Sequence, residues 1–311
     1  MLDALADEFT ALRGQLIAVA YRLTSTRADA EDAVQEAWLR LSALDDDKRA
    51  EINDLAAWLT TVVGRICLDR LRSAAVRRES YFGQWLPEPI VTPLSTPPRD
   101  DPLDAVVRED DVRMAALIVL DQLSPEQRVA FVLHDAFDVP FAEIADILGC
   151  TPATARQYAS RGRKHVADAD PPPRASLEEQ QQVLQRLTDA LLAGDVATVT
   201  ELLHPDVVLI GDANGKARTA VQVMAGRDKI VRFLFGLARR YDPEALARSV
   251  PMLANGDLAS FLPPDPGHGS YRPLDAHLQM IALRDGKICA IYDQANPDKL
   301  RTAGLPVDAP Q

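Results

Sequence analysis

The sequence predicts a multidomain chain: two all-α domains followed by an α+β domain. Three observations predict it. Apolar residues recur at helical spacing through the N-terminal part. Two proline-rich stretches, 83–111 and 170–173, interrupt that pattern. After residue 176, short β-branched runs alternate with helical ones. A chain of 311 residues exceeds one ordinary core, and a hydrophobic content of 47% supports folded domains rather than disorder.

Taken in order, Leu5, Phe9, Leu12, Leu16, Val19 and Leu23 step by four and three and mark a first amphipathic helix. A second is expected at 29–44, with Val34, Trp38 and Leu41 as its stripe. A third is expected at 55–78, with Leu55, Leu59, Val62, Ile66 and Leu71 inward. Short connections make these a compact helical domain. Residues 83–111 carry Pro87, Pro89, Pro93, Pro97, Pro98 and Pro102, which break helices and favour extended chain. Helix returns at 112–123 and 125–135.

Residues 141–166, FAEIADILGCTPATARQYASRGRKHV, read as a helix-turn-helix. Ala145 sits where the two helices touch. Gly149 falls at the turn, where positive φ carries little steric cost. Thr151 caps the second helix and Pro152 suits its first turn. Ala155, Ala159 and Val166 share the inward face. Arg156, Gln157, Ser160, Arg163 and Lys164 point elsewhere, with Arg161 at the edge. Residues 152–166 hold four Lys/Arg and no Asp/Glu, a short basic surface suited to groove insertion and phosphate contact.

Beyond residue 176 a helix at 177–193 closes at Gly194. Strands are expected at 207–210, 258–262, 277–283 and 288–292, with a helix at 226–241. Asp285-Gly286 is a two-residue hairpin signal.

The net charge of −12 argues against indiscriminate binding to nucleic acid. Its distribution points to two partners. Residues 1–60 carry 6 Lys/Arg against 12 Asp/Glu, whereas 61–80 carry 5 against 2. On the second helix Asp29, Asp32 and Glu36 form an acidic stripe beside Gln35. On the third, Arg65, Asp69 and Arg72 share a face that Arg77 and Arg78 extend. Such a helix can follow a strand backbone and neutralise phosphates. Cys67, Cys150 and Cys289 are too dispersed for a disulfide framework, and the acidic start lacks a signal sequence. No apolar run approaches the roughly 18–20 residues of a membrane span. A reduced, cytoplasmic protein without membrane attachment is expected. With no metal-ligand cluster in the sequence, neither metal nor cofactor is expected.

The blocks DAEDAVQEAWLRL (29–41) and AWLTTVVGRICLDRLRSAAVRRE (57–79), with the helix-turn-helix, resemble an extracytoplasmic-function (ECF) sigma factor of bacterial RNA polymerase. The resemblance implies a sigma-2 helical bundle at 1–80 and a sigma-4 domain at 112–168, joined by a linker at 81–111. It implies that Asp29, Asp32, Gln35, Glu36, Trp38 and Leu39 dock on the β′ clamp of core polymerase, and that contacts extend to the β subunit. Arg65, Asp69, Arg72, Arg77 and Arg78 would face the −10 element, with the 45–54 loop capturing a flipped base. Thr154, Arg156, Gln157, Ser160, Arg161, Arg163 and Lys164 would face the −35 element.

WLPEP (85–89), DANGK (212–216) and NPDKL (296–300) narrow the resemblance to the group 41, SigJ-type subgroup. That subgroup carries a SnoaL-like domain of the NTF2-like superfamily, an α+β cone, expected here at 176–303 after a short linker at 169–175. Trp85, Pro87, Glu88, Asp212, Lys216, Asn296, Asp298 and Lys299 are the expected interdomain regulatory residues. The subgroup's usual Asp-Gly-Gly-Gly-Lys is altered, because Ala213 and Asn214 replace two glycines. If both positions needed positive φ, Ala213 would be strained there.

The resemblance implies a sigma factor modulated in cis, with no separate anti-sigma protein and no enzyme activity. Some SnoaL-like domains are enzymes, and His204, Asp206, Asp212, His277 and Asp293 are the acid–base candidates. Each has a plainer reading; His277, for one, fits the surface of an edge strand. A buried Asp–His pair in the pocket would favour catalysis. The pocket is either empty or holds a small-molecule ligand. The alternative to a sigma factor is a one-component DNA-binding regulator with an effector pocket, although such a protein needs neither the 29–41 nor the 57–79 block.

Overall fold

The structure, a computed structural model, describes residues 2–78, 80–94 and 112–308, and their side chains except at 2–4 and 75–78. The chain forms two compact units. One holds the helices up to residue 78 together with residues 116–171; the other holds residues 80–94, 113–115 and 172–308.

In the first unit α1 (Leu2–Thr24), α2 (Arg27–Ser42), the short α3 (Asp46–Ala50) and α4 (Leu55–Arg78) form one helical group. Leu16, Ile17, Val19, Tyr21 and Leu23 make the end of α1 buried on all sides, beyond the stripe expected from periodicity. They pack with Ala30, Ala33, Val34 and Leu41 of α2 and with Leu59, Val63 and Ile66 of α4. Thr26 caps α2 by accepting from the Asp29 backbone N–H.

A second helical group follows: α5 (Met114–Leu120), α6 (Pro125–Phe137), α7 (Phe141–Leu148) and α8 (Pro152–Ala169). A capping box between Ser124 and Gln127 starts α6. At the turn between α7 and α8, Gly149 adopts φ 66°, and the Thr151 side chain accepts from the Thr154 N–H. Ala145, Ala155 and Ala159 are buried where expected, whereas Val166 is only half-buried. Gly162, also buried, brings α8 against α6: a Cβ there would lie 2.9 Å from that of Phe131.

The second unit packs a seven-stranded sheet against helices. Its helices are α9 (Leu177–Ala193), α10 (Val196–Leu202), α11 (Arg227–Ala238), α12 (Pro243–Ala247) and α13 (Pro297–Thr302). Its strands are β1 (Val91–Pro93), β2 (Leu203–Asp212), β3 (Met224–Ala225), β4 (Val250–Ala254), β5 (Asp257–Leu262), β6 (His277–Arg284) and β7 (Lys287–Gln294). The order is β1-β4-β5-β6-β7-β2-β3, with only β2 and β7 parallel. Val183, Leu187, Val199, Leu209, Ile230, Ile281 and Ile291 join helices and sheet in one core. Asp285 and Gly286 turn the β6–β7 hairpin with both φ positive.

Three expectations change. Residues 81–94, expected as a linker between the helical domains, belong to the C-terminal unit, and β1 extends its sheet; the rest of that linker, 95–111, lies outside the described residues. His277 sits on an interior strand and is buried, not at an edge. In the DANGK loop the positive φ angles fall on Asn214 and Gly215, so Ala213 is unstrained.

Candidate nucleic-acid interface and linker clamp

On α2, Gln35 and Leu39 are exposed, and Leu39, at 57%, is among the most exposed large apolar residues. Trp38 is half-buried against Phe9, ring centroids 4.9 Å apart. Glu36 pairs with Arg40 one turn on. Arg70 of α4 reaches the half-buried Asp29 at 2.7 Å and the exposed Asp32 at 3.6 Å. Arg70, a member of the basic run but of no expected interface, thus ties α4 to α2.

Arg65, Asp69 and Arg72 share an exposed face of α4, as expected; the side chains of Arg77 and Arg78 lie outside the described residues. Two of these arginines reach the second helical group. Arg65 donates to the Asp146 carbonyl at 3.2 Å, and Arg72 donates to Glu126 at 3.0 Å. The 45–54 segment is not all loop, since Asp45 caps the short α3.

On α8, Arg156, Gln157, Ser160, Arg161, Arg163 and Lys164 are exposed and Thr154 is half-buried. The Arg156 guanidinium lies 5.5 Å from the Phe141 ring centre, and Arg163 pairs with Asp135. α8 therefore presents a continuous polar and basic surface whose direction is fixed by the Gly149 turn.

In the second unit the three subgroup motifs converge. Asp212 is fully buried and accepts from the Leu86 N–H at 2.8 Å, from Lys299 at 2.7 Å and from the Tyr81 hydroxyl. Lys299, itself buried, also donates to the Leu86 carbonyl and stands 3.2 Å from the Trp85 ring centre. One ion pair thus grips both backbone groups of Leu86. Asn296 caps α13 and donates to the Tyr81 hydroxyl at 2.7 Å. Burial, then the charge of Asp212, pushes the Tyr81 phenol well above its ordinary range. Leu86, Pro87, Glu88, Pro89 and Ile90 are buried. Beyond them Ile90 exchanges hydrogen bonds with Asn255, at 3.1 and 2.9 Å. Lys216 does not touch WLPEP; it pairs with Asp298 on the surface and so joins DANGK to NPDKL.

His277 and Asp293 form a buried pair, Nδ1 to Oδ1 2.9 Å. Thr219 and Gln279 also donate to Asp293. Burial alone would lower the His277 pKa, but the charge and hydrogen bond of Asp293 outweigh it and raise it. Burial alone would raise that of Asp293, but His277, Thr219 and Gln279 outweigh it and lower it. His204 bonds only a local backbone N–H, that of Asp206, among the contacts described. No group of three or more His, Cys, Asp or Glu among the described residues has metal-holding geometry.

Sequence reasoning missed Arg128, which is fully buried and donates twice to the Arg22 carbonyl, at 3.0 and 2.8 Å, while pairing with Asp121. It satisfies the end of α1 with a cation, as helix C-termini favour. A basic residue on an amphipathic helix gives no sign of such burial. Tyr81 was missed because it stands outside the motifs. The Asn255-Gly256 turn between β4 and β5 was a legible hairpin signal not used.

The description "Sigma-70 region 2" matches residues 9–77 and "Sigma-70, region 4" matches residues 114–166. The ECF RNA polymerase sigma factor SigJ of Mycobacterium tuberculosis is 53% identical over 305 residues, covering 96% of this chain and 94% of that one. The probable ECF sigma factor SigI of the same species is 33% identical over 231 residues, covering 73% of this chain and 75% of its own. The crystal structure of M. tuberculosis SigJ covers 97% of this chain and 100% of its own with a TM-score of 0.80 at 49% identity. The chain belongs to the extracytoplasmic-function family of RNA polymerase sigma factors.

Proposed function

We propose that this sigma factor, which directs core RNA polymerase to specific promoters, is restrained in cis by its C-terminal SnoaL-like unit through the linker clamp. The observation that carries this reading is the buried Lys299–Asp212 pair closed on the backbone of Leu86. A linker segment held there is withdrawn from any path along polymerase. Tethering supplies an effective concentration on the order of millimolar, so the clamp needs little intrinsic affinity and no separate anti-sigma protein.

The remaining roles follow the family pattern. The exposed Gln35 and Leu39, with Asp29, Asp32, Glu36 and Trp38, meet the β′ clamp of core polymerase, and further contacts reach the β subunit. Arg65, Asp69, Arg72, Arg77 and Arg78 serve the −10 element. Thr154, Arg156, Gln157, Ser160, Arg161, Arg163 and Lys164 serve the −35 element. Arg65 and Arg72 must leave Asp146 and Glu126 to reach DNA, so promoter engagement also opens the helical unit. Cys67, Cys150 and Cys289 are unpaired, in keeping with a reduced cytoplasm.

Run-off transcription with purified core polymerase tests the reading, comparing the full chain with one ending at residue 169. The template is the DNA upstream of the protein's own operon. Greater output from the shorter form is expected. Equal or lower output contradicts restraint in cis. Tight, specific duplex binding by the free chain, with no core binding, returns the one-component regulator.

A further inference from the structure

We propose that Phe141 is a specificity-determining residue of promoter recognition: its ring holds the Arg156 guanidinium in place with every N–H donor free for a base edge. This rests on the reading that α8 enters the major groove of the −35 element. Arg156 is exposed and lies near the N-terminal end of α8, the end that meets bases when a helix-turn-helix docks. Its guanidinium carbon stands 5.5 Å from the Phe141 ring centre, within the range of cation–π attraction. A phenyl ring has no acceptor, so this contact takes up none of the five guanidinium donors. Among the described residues Arg156 makes no hydrogen bond or ion pair. It is therefore held but not spent.

The platform is itself fixed from behind. Phe141 is the first residue of α7, and Pro140 before it holds φ at −62°. The His134 ring of α6 lies against the Phe141 ring, centroids 3.9 Å apart. His134 Nδ1 is 3.2 Å from the Val139 carbonyl, which only accepts, so Nδ1 donates and the imidazole is anchored to the α6–α7 connection. Arg163 is held in another way. It pairs with Asp135 of α6, which occupies part of its N–H fork. An uncharged base edge offers less to replace that carboxylate than a phosphate does, so Arg163 suits the backbone. Arg156, with its planar fork free, suits bidentate contact with guanine O6 and N7. Holding a long side chain in advance reduces the ordering that docking must impose, and this benefit is realised only where the matching base is present.

The test measures binding of holoenzyme, assembled from the full chain and core polymerase, to promoter duplexes carrying each of the four base pairs at every −35 position. Arg156→Ala should flatten a guanine preference at one position by about tenfold. Phe141→Met, which keeps the bulk but removes the π face, should flatten that same position by about threefold and no other, with an unchanged salt slope. Phe141→Tyr, which keeps the ring, should restore the preference. The double variant Phe141→Met/Arg156→Ala should discriminate no less than Arg156→Ala alone. Should circular dichroism show Phe141→Met unfolded, His134→Ala, which removes only the ring behind the platform, is read for the same one-position loss. If Arg156→Ala flattens one position while a folded Phe141→Met leaves it intact, or if the two losses add in the double variant, the proposal is overturned. If Arg156→Ala leaves every preference intact, the −35 reading of Arg156 fails, and the proposal with it.

Discussion

The exposed face of α8 and the linker clamp use the same kinds of charged residue in opposite settings. On α8, Arg161 and Lys164 stand in solvent, and even the paired Arg163 is exposed. In the clamp, Lys299 and Asp212 are buried, and every contact has a fixed geometry. Exposed charges are screened by salt and contribute little to folding, which leaves them available for phosphates. Buried charges contribute specificity of arrangement, and removing one leaves the other stranded. One region is built to exchange partners, the other to hold one.

The largest effect that would break this contrast is expected at Lys299. Lys299→Ala should destabilise the C-terminal unit by about 3–5 kcal/mol in a denaturant melt, because Asp212 is left buried and unpaired. The double variant Asp212→Asn/Lys299→Met, which removes both charges, should lose much less. Similar losses for both would mean that the pair is not the source of the cost. On α8 the effects should appear in binding and not in folding. Arg156→Ala and Arg163→Ala should leave the melt unchanged while weakening promoter binding by the holoenzyme. A base contact relaxes preference at one position by about 1–3 kcal/mol, whereas a phosphate contact weakens all sequences alike.

A smaller effect concerns pH. His277 has a raised pKa and Asp293 a lowered one, so their ion pair contributes fully between those values. The His277 contribution is complete below its ordinary value of 6.5 and is lost as pH rises through the raised value. The melting temperature of the C-terminal unit should therefore fall as pH rises above 6.5, and His277→Gln should flatten that fall. The smallest effect is expected at the exposed Arg72–Glu126 pair. Glu126→Gln should cost less than about 1 kcal/mol in stability, and that cost should vanish at high salt.

Legibility followed the same contrast between exposed and buried. The helices at 55–78 and 177–193 and the turn at Gly149 were readable because local periodicity and capping chemistry agree with the fold. The exposed arginines of α4 and α8 were readable because helical spacing alone sets which face they occupy. What escaped was non-local. The burial of Arg128 depends on a carbonyl at Arg22, 106 positions away. The docking of WLPEP depends on Asp212 and Lys299, contributed by two further segments. Proline spacing identified an extended segment but not the sheet edge at β4 that receives it. His277 was misplaced because the strand order β5-β6-β7, not its own sequence, puts it inside.

The central claim is that the clamp restrains initiation. The most direct measurement is run-off transcription by core RNA polymerase carrying either the full chain or its Asp212→Asn/Lys299→Met variant, at equal holoenzyme concentration and with folding verified by circular dichroism. The account predicts more transcript from the variant, whose linker is released while the promoter-facing helices are untouched. Equal or lower output from a folded variant would contradict it.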